Sequence, residues 1–276
     1  MRKLRAMRLV ASAGATILIA SGIFAGSADA SDPYADATLW TLSADYAHIF
    51  TSSIGGVDYY GPTGTVKLPL GSDFALHFEG SYHHVTFKGG DANDFAAGGS
   101  LVFEQQYWHF GPAFGFQSGV QKGLVSVTSD TYNYGGFAQF YANQSLALSA
   151  WGGGFHTSPY RWNGFYLAGD AEWYPTPDFC IDPEINFIDV PGGAFHFRET
   201  DYIAAFEWRP ISDRQFSIYA AYAYTPFSTH AHANTIYIAL KFYNGAGENG
   251  ASAPLLLQRY EAVDVSPLVE GLVFKY

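Results

Sequence analysis

The chain has 276 residues, of which 48% are hydrophobic, 18% aromatic and only 14% charged, with a formal net charge of −11. Soluble domains carry about 25% charged residues, so so few charges beside 18% aromatics and 30 glycines exclude both a disordered chain and an ordinary soluble enzyme. A mean hydropathy near zero excludes a multi-helix membrane protein, the acidic balance excludes nucleic acid as a partner, and a lone Cys180 excludes a disulfide framework or zinc cluster.

The chain opens with Arg2, Lys3, Arg5 and Arg8, continues as an apolar run from Leu9 to Gly26, and reaches Ala28-Asp29-Ala30. A basic start, an apolar middle and an Ala-x-Ala exit are the marks of a secretory signal peptide over residues 1–30, cleaved before Ser31. Its removal leaves an exported chain more acidic than the precursor.

Beyond Ser31 no apolar run is long enough for a transmembrane helix, and the recurring pattern has a period of two. Trp40, Leu42, Ala44 and Tyr46 oppose Thr41, Ser43 and Asp45. Leu76, Phe78 and Tyr82 oppose His77, Glu79, Ser81 and His83. Phe179, Ile181, Ile185 and Phe187 oppose Cys180, Asp182, Glu184 and Asn186. Ala204, Phe206 and Trp208 oppose Ala205, Glu207 and Arg209; Phe216, Ile218, Ala220 and Tyr222 oppose Ser217 and Tyr219; Ile236, Ile238, Leu240 and Phe242 oppose Tyr237, Ala239 and Lys241. A helix would scramble these faces, whereas a strand keeps them. The pattern predicts twelve strands: 38–50, 57–70, 74–87, 95–105, 107–118, 131–142, 145–156, 164–174, 179–189, 200–209, 214–225 and 234–243. Short connections are expected near Gly71-Ser72, Gln105-Gln106, Asn143-Gln144, Pro175–Pro177 and Pro210–Asp213. Longer loops are expected at 51–56, 88–94, 119–130, 157–163, 190–199 and 226–233, and such alternation is characteristic of transmembrane barrels.

Three features turn the apolar face outward to lipid. The polar face carries Asp, Glu, His and Lys deep within the segments, where a dry core would penalise them. Aromatics crowd the segment ends: Trp40, Trp108, Trp173, Trp208, Phe216 and Phe242 near the short turns, and Tyr46, Phe87, Phe95, Tyr134, Phe155 and Phe165 near the long loops. Closure also satisfies every backbone group in hydrocarbon. The expected fold is all-β, a transmembrane antiparallel up-and-down barrel of twelve strands over 31–243. On these residues the chain resembles Gram-negative outer-membrane β-barrel proteins of the small porin-like kind. That resemblance implies an outer-membrane location, with lipid and lipopolysaccharide, the barrel-assembly machinery and small polar solutes as partners.

Members of that group commonly end in an alternating strand with a terminal aromatic. Both Ile236–Phe242 and the Leu268, Leu272, Phe274, Tyr276 series fit, separated by a Gly/Asn/Ala linker at 244–253. Residues 244–276 are accordingly a periplasmic or plugging tail, or two further strands giving fourteen.

Lumen-facing positions at comparable height include Asp170, Glu172, Asp182, Glu184 and Glu207 on three neighbouring strands, with Lys67, His77 and Lys241 among the groups on the other side. Asp45 and Glu79 share the inward face. An acidic wall opposite a sparser basic one produces a transverse field, and acidic linings favour cations. The expected function is a narrow, passive, weakly cation-preferring channel for small hydrophilic solutes, with no cofactor. A structural or adhesive barrel acting through its outer loops is the alternative. A second alternative rests on His156-Thr157-Ser158, which is similar to the lipid-facing His-x-Ser of outer-membrane phospholipases and lipid A deacylases, although Pro159 stands where those groups tend to have Asn. That similarity implies a base at His156 and a nucleophile at Ser158. His83 and His84 alternate faces and cannot share a metal; His230 and His232 have same-face spacing but no carboxylate beside them, and Cys180 is expected to face inward as an inert small residue.

Overall fold

The computed structural model describes residues 38–51, 55–71, 73–105, 107–122, 127–143, 145–158, 161–191, 197–211, 215–226 and 232–243. The expected leader at 1–30 and the segment 244–276 lie outside them.

Twelve strands form: β1 (Leu39–Thr51), β2 (Gly55–Pro69), β3 (Phe74–Phe87), β4 (Gly90–Gln105), β5 (Trp108–Lys122), β6 (Val127–Asn143), β7 (Leu146–Ser158), β8 (Trp162–Thr176), β9 (Phe179–Val190), β10 (Phe197–Trp208), β11 (Phe216–Pro226) and β12 (His232–Tyr243). Each pairs antiparallel with its chain neighbours. β12 then closes onto β1 through rungs running from Thr41↔Tyr243 to Thr51↔Ala233. The ladder is therefore complete at twelve strands, with no open edge left to hydrocarbon.

The apolar face points out on every strand. Trp40, Leu42 and Tyr46 are exposed, as are Phe78 and Tyr82, Phe206 and Trp208, and Ile236, Ile238, Leu240 and Phe242. Their inward alternates Ser43, Asp45, His77, Ser81, His83, Glu207 and Ala239 are buried. An exterior this apolar around a polar interior is the inverse of a soluble barrel, and it suits a bilayer as the surrounding solvent.

Two expectations are corrected. Parts of the polar stretches taken as long loops are strand (55–56, 90–94, 119–122, 127–130 and 197–199), because the antiparallel ladder continues past the apolar band. β3 ends at Phe87 and β4 begins at Gly90, around Gly89 with φ 116°. The β10–β11 connection, expected short, runs from 209 to 215 and is longer than any connection at the other end. The second correction concerns Phe87 and Phe155, placed by sequence in the outer aromatic belt. Both face inward. Phe155 packs with Tyr166, Ile188, Val190, Trp151 and Trp162, while Phe87 packs with Val57, Tyr59, Val85, Ala92, Ile49 and Tyr237. Among the described residues, these two apolar clusters lie beneath the β7–β10 and β1–β4 hairpins, and the inward cations Lys67, Lys241 and Arg209 lie toward the other end. For clarity the end carrying the 70–73 and 177–178 connections is called the turn end, and the opposite one the loop end.

Candidate functional site

Period two assigns a face, and the closed register then decides which inward groups meet. Asp45, Lys67, His77, Glu79, Asp170, Glu172, Asp182, Glu184, Glu207 and Lys241 all occupy inward positions. The arrangement is more closely matched than two opposed walls. At the turn end, Lys67 Nζ lies 2.8 Å from Glu104 Oε1, with the two side chains 0% and 5% exposed. His77 is the rung partner of Lys67, and His109 that of Glu104. The Tyr141 hydroxyl extends this patch, 3.3 Å from His109 Nδ1 and donating to Gln139 at 2.9 Å.

Glu207 forms a second node. It accepts hydrogen bonds from the Ser217 hydroxyl at 2.5 Å, from the Tyr243 hydroxyl, and from Lys241 Nζ at 3.3 Å. Lys241 Nζ also sits 4.5 Å from the centroid of the Tyr219 ring. Nearby, Arg209 binds Asp178 with Nε and Nη2 at 2.7 and 2.6 Å. Both lysines of the expected basic wall are therefore partnered locally, Lys67 by β4 and Lys241 by β10. That placement weakens the transverse field expected from sequence, because each positive charge is neutralised within a few ångströms.

What remains is an excess of carboxylates. Asp170 and Glu184 stand directly opposite each other on β8 and β9. Asp170 accepts the backbone N–H of Ser149 at 3.2 Å, and Glu172 accepts the Tyr174 hydroxyl at 3.0 Å. Toward the loop end, Asp45 accepts from Thr63 at 2.6 Å and lies 3.3 Å from His83 Nε2, whose Nδ1 meets the Tyr59 hydroxyl. Asp94 accepts from Gln117 at 2.6 Å, and Asp201 from Thr225 at 2.5 Å. Many of these groups are shielded from solvent; Lys67, Asp94, Asp201 and Glu207 are each only 1% exposed.

Sequence reasoning passed over Asp94, Glu104, Glu199 and Asp201 as interior groups, whereas Arg209 was read on the polar face beside Glu207. Asp94 and Glu199 were assigned to loops because the strands were started too late. Glu104 and Asp201 had the right alternation, and carrying the face count to the strand ends would have found them. Cys180 faces inward and is fully buried, as expected.

The His-x-Ser pair faces outward at the loop end. His156 Nδ1 is 2.9 Å from Asn163 Oδ1 on β8, its direct rung partner. Among the described residues no hydrogen bond joins His156 to Ser158, whose rung partner is Asp130. His83 and His84 do take opposite faces, with His84 bonded to Asn93. His230 lies outside the described residues; His232 begins β12, 6.0 Å from the Tyr224 ring. Among the described residues, no group of three or more His, Cys, Asp or Glu side chains is arranged to hold a metal ion.

The sequence matches no protein-family profile and no curated protein. Solved structures share the architecture. An outer-membrane channel from Pseudomonas putida F1 superposes with a TM-score of 0.56 at 8% identity, covering 75% of this chain and 94% of that one. The KdgM porin and the NanC porin each give a TM-score of 0.50 at 12% identity, covering 72% of this chain and 98% of theirs. At such identities the likeness establishes the fold, that of the outer-membrane β-barrel.

Proposed function

We propose that this barrel lies in a Gram-negative outer membrane, exported by a cleaved leader at 1–30, and serves as a narrow passive channel for small hydrophilic solutes with a weak preference for cations. The observation that carries the reading is the interior charge imbalance. Carboxylates on β1, β3, β4 and β8–β10 outnumber Lys67, Lys241 and Arg209, inside a closed wall whose exterior is apolar. Acidic groups that exceed their local counter-charges attract mobile cations, which is how carboxylate-lined pores select. Tight packing of the interior side chains limits the path to small solutes and keeps conductance low. Lipopolysaccharide outside, and the barrel-assembly machinery during insertion, are the partners this location supplies.

Planar-bilayer recordings in a KCl gradient test the proposal. Neutralising Asp170, Glu172, Asp182 and Glu184 to Asn or Gln should move the reversal potential toward that of an unselective pore. Unchanged selectivity would overturn the electrostatic part, and absence of any conductance by the unaltered protein would overturn the channel. Liposome swelling in sugars of graded size sets the cut-off. The adhesive alternative is disfavoured by connections at the loop end that are only a few residues long.

A second reading has one observation in its favour. The His156–Asn163 bond fixes the imidazole in orientation, the role a third group plays for a catalytic base. Lipid hydrolysis through Ser158 would then occur at the outer rim, and phospholipid turnover abolished by Ser158→Ala would establish it.

A further inference from the structure

On the inward face of β7–β9 the acidic wall meets an apolar cluster, and the junction carries a donor and an acceptor that the protein leaves unmatched. Trp151 Nε1 and Asn186 Oδ1 are buried atoms, and neither has a hydrogen-bond partner among the described residues. Asn186 as a whole is 2% exposed. The rungs set the two residues at one level: Trp151 on β7 opposes Ala168 on β8, and Ala168 opposes Asn186 on β9. With neighbouring strands ~4.8 Å apart, the two backbones stand about 10 Å from each other, with only the Ala168 methyl between them. Buried polar groups in folded proteins are nearly always matched, so this pair marks a wall shaped to receive a polar group from a guest.

Charge flanks this level on one side and aromatic surface on the other. Toward the turn end, Asp170 and Glu184 follow Ala168 and Asn186 on the inward face and oppose each other directly. Both are half-buried; like charges on one rung repel, and a cation lying between them removes the repulsion. Asp170 accepts the Ser149 N–H, which draws its carboxylate toward β7. Trp151 stands diagonal to it across the β7–β8 rungs, a separation of about 7–8 Å that an aromatic side chain spans. The inward cations Lys67, Lys241 and Arg209 are engaged elsewhere, by Glu104, Glu207 and Asp178. Toward the loop end, Tyr166 reaches across β7, so that a Cβ on Gly135 of β6 would stand 2.7 Å from its hydroxyl. Tyr166 packs with Phe155 and Ile188, and Trp151 rests against that cluster, which holds the indole beside the carboxylates.

We infer that this wall is a binding subsite for small aromatic ammonium ions that carry a hydroxyl remote from the charge, an inference that deepens the cation-preferring channel reading and rests on it. The ammonium lies between Asp170 and Glu184 and donates to both. The ring lies over the Ala168 methyl against Trp151, where indole and carboxylates together favour an aromatic cation over a hydrated inorganic one. The hydroxyl is the one simple group that answers both unmatched atoms, accepting from Trp151 Nε1 while donating to Asn186 Oδ1. A guest without it leaves those atoms unpaired and binds more weakly.

The test is isothermal titration calorimetry of the full-length protein in nonionic detergent micelles, with micelles alone as the blank. Tyramine should bind at least tenfold more tightly than ethylamine, which lacks the ring, or hydroxyphenylpropionate, which reverses the charge. It should bind at least threefold more tightly than phenethylamine, which lacks the hydroxyl. The double variant Asp170→Asn with Glu184→Gln should weaken tyramine at least tenfold, and Trp151→Leu at least threefold. Gel mobility before and after boiling reports whether each barrel is folded. Should a variant not fold, the ligand series on the unaltered protein decides alone. Tyramine bound no more tightly than these comparators, or undiminished affinity in a folded double variant, overturns the subsite. Failure of the channel reading would look different: planar bilayers would show no conductance while the calorimetric preference for tyramine persisted.

Discussion

Replacing Lys67 with Met removes the ammonium that lies 2.8 Å from Glu104 while nearly preserving side-chain length. The Coulomb attraction at that distance is about 6 kcal/mol for an effective dielectric near 20, and partial cancellation by desolvation follows from side chains 0% and 5% exposed. Breaking a buried pair from one side leaves the other charge poorly compensated, and the expected loss is about 3–5 kcal/mol. Removing both charges, Lys67→Met with Glu104→Leu, should recover most of that loss, giving a coupling energy of about 2–4 kcal/mol in a double-mutant cycle. Urea unfolding in phospholipid vesicles, followed by tryptophan fluorescence, measures each variant. Two single variants each costing under ~1 kcal/mol, with an additive double variant, would refute the view that the interior charges are tightly paired rather than loosely hydrated.

Ile238→Arg places a cation near mid-height on the lipid face and should destabilise the inserted barrel by about 2–4 kcal/mol, read from the same unfolding curves. Gly61→Ala should cost about 1–3 kcal/mol, because its Cβ would collide with the Tyr82 carbonyl, whereas Gly80→Ala, with nothing nearer than 3.8 Å, should be tolerated within ~1 kcal/mol. Glu207→Gln weakens three hydrogen bonds to one carboxylate, and chemical denaturation should show a loss of about 1–3 kcal/mol.

The physical reason for what the sequence could and could not tell lies in the two-residue period. Alternation needs only local chain geometry, so twelve ribbons and the outward direction of Trp40, Phe206 and Ile238 were legible from composition and spacing. The inward placement of all ten interior candidates followed from the same count. Polarity misled where it stood in for geometry: the stretches around Asp94 and Glu199 look like loops, yet the ladder runs through them because backbone pairing does not depend on apolar side chains. Phe87 and Phe155 were misplaced because belt membership was judged by aromatic character rather than by face.

Neighbours were another matter. A period of two says nothing about which rung lies beside which, so the pairing of Lys67 with Glu104 and of Lys241 with Glu207 came only from register and closure. The bond between His156 and Asn163 was equally invisible, since hairpin register brings the two opposite each other. Local chain chemistry decided the ribbons and their outward faces; the closed cylinder decided which charges meet.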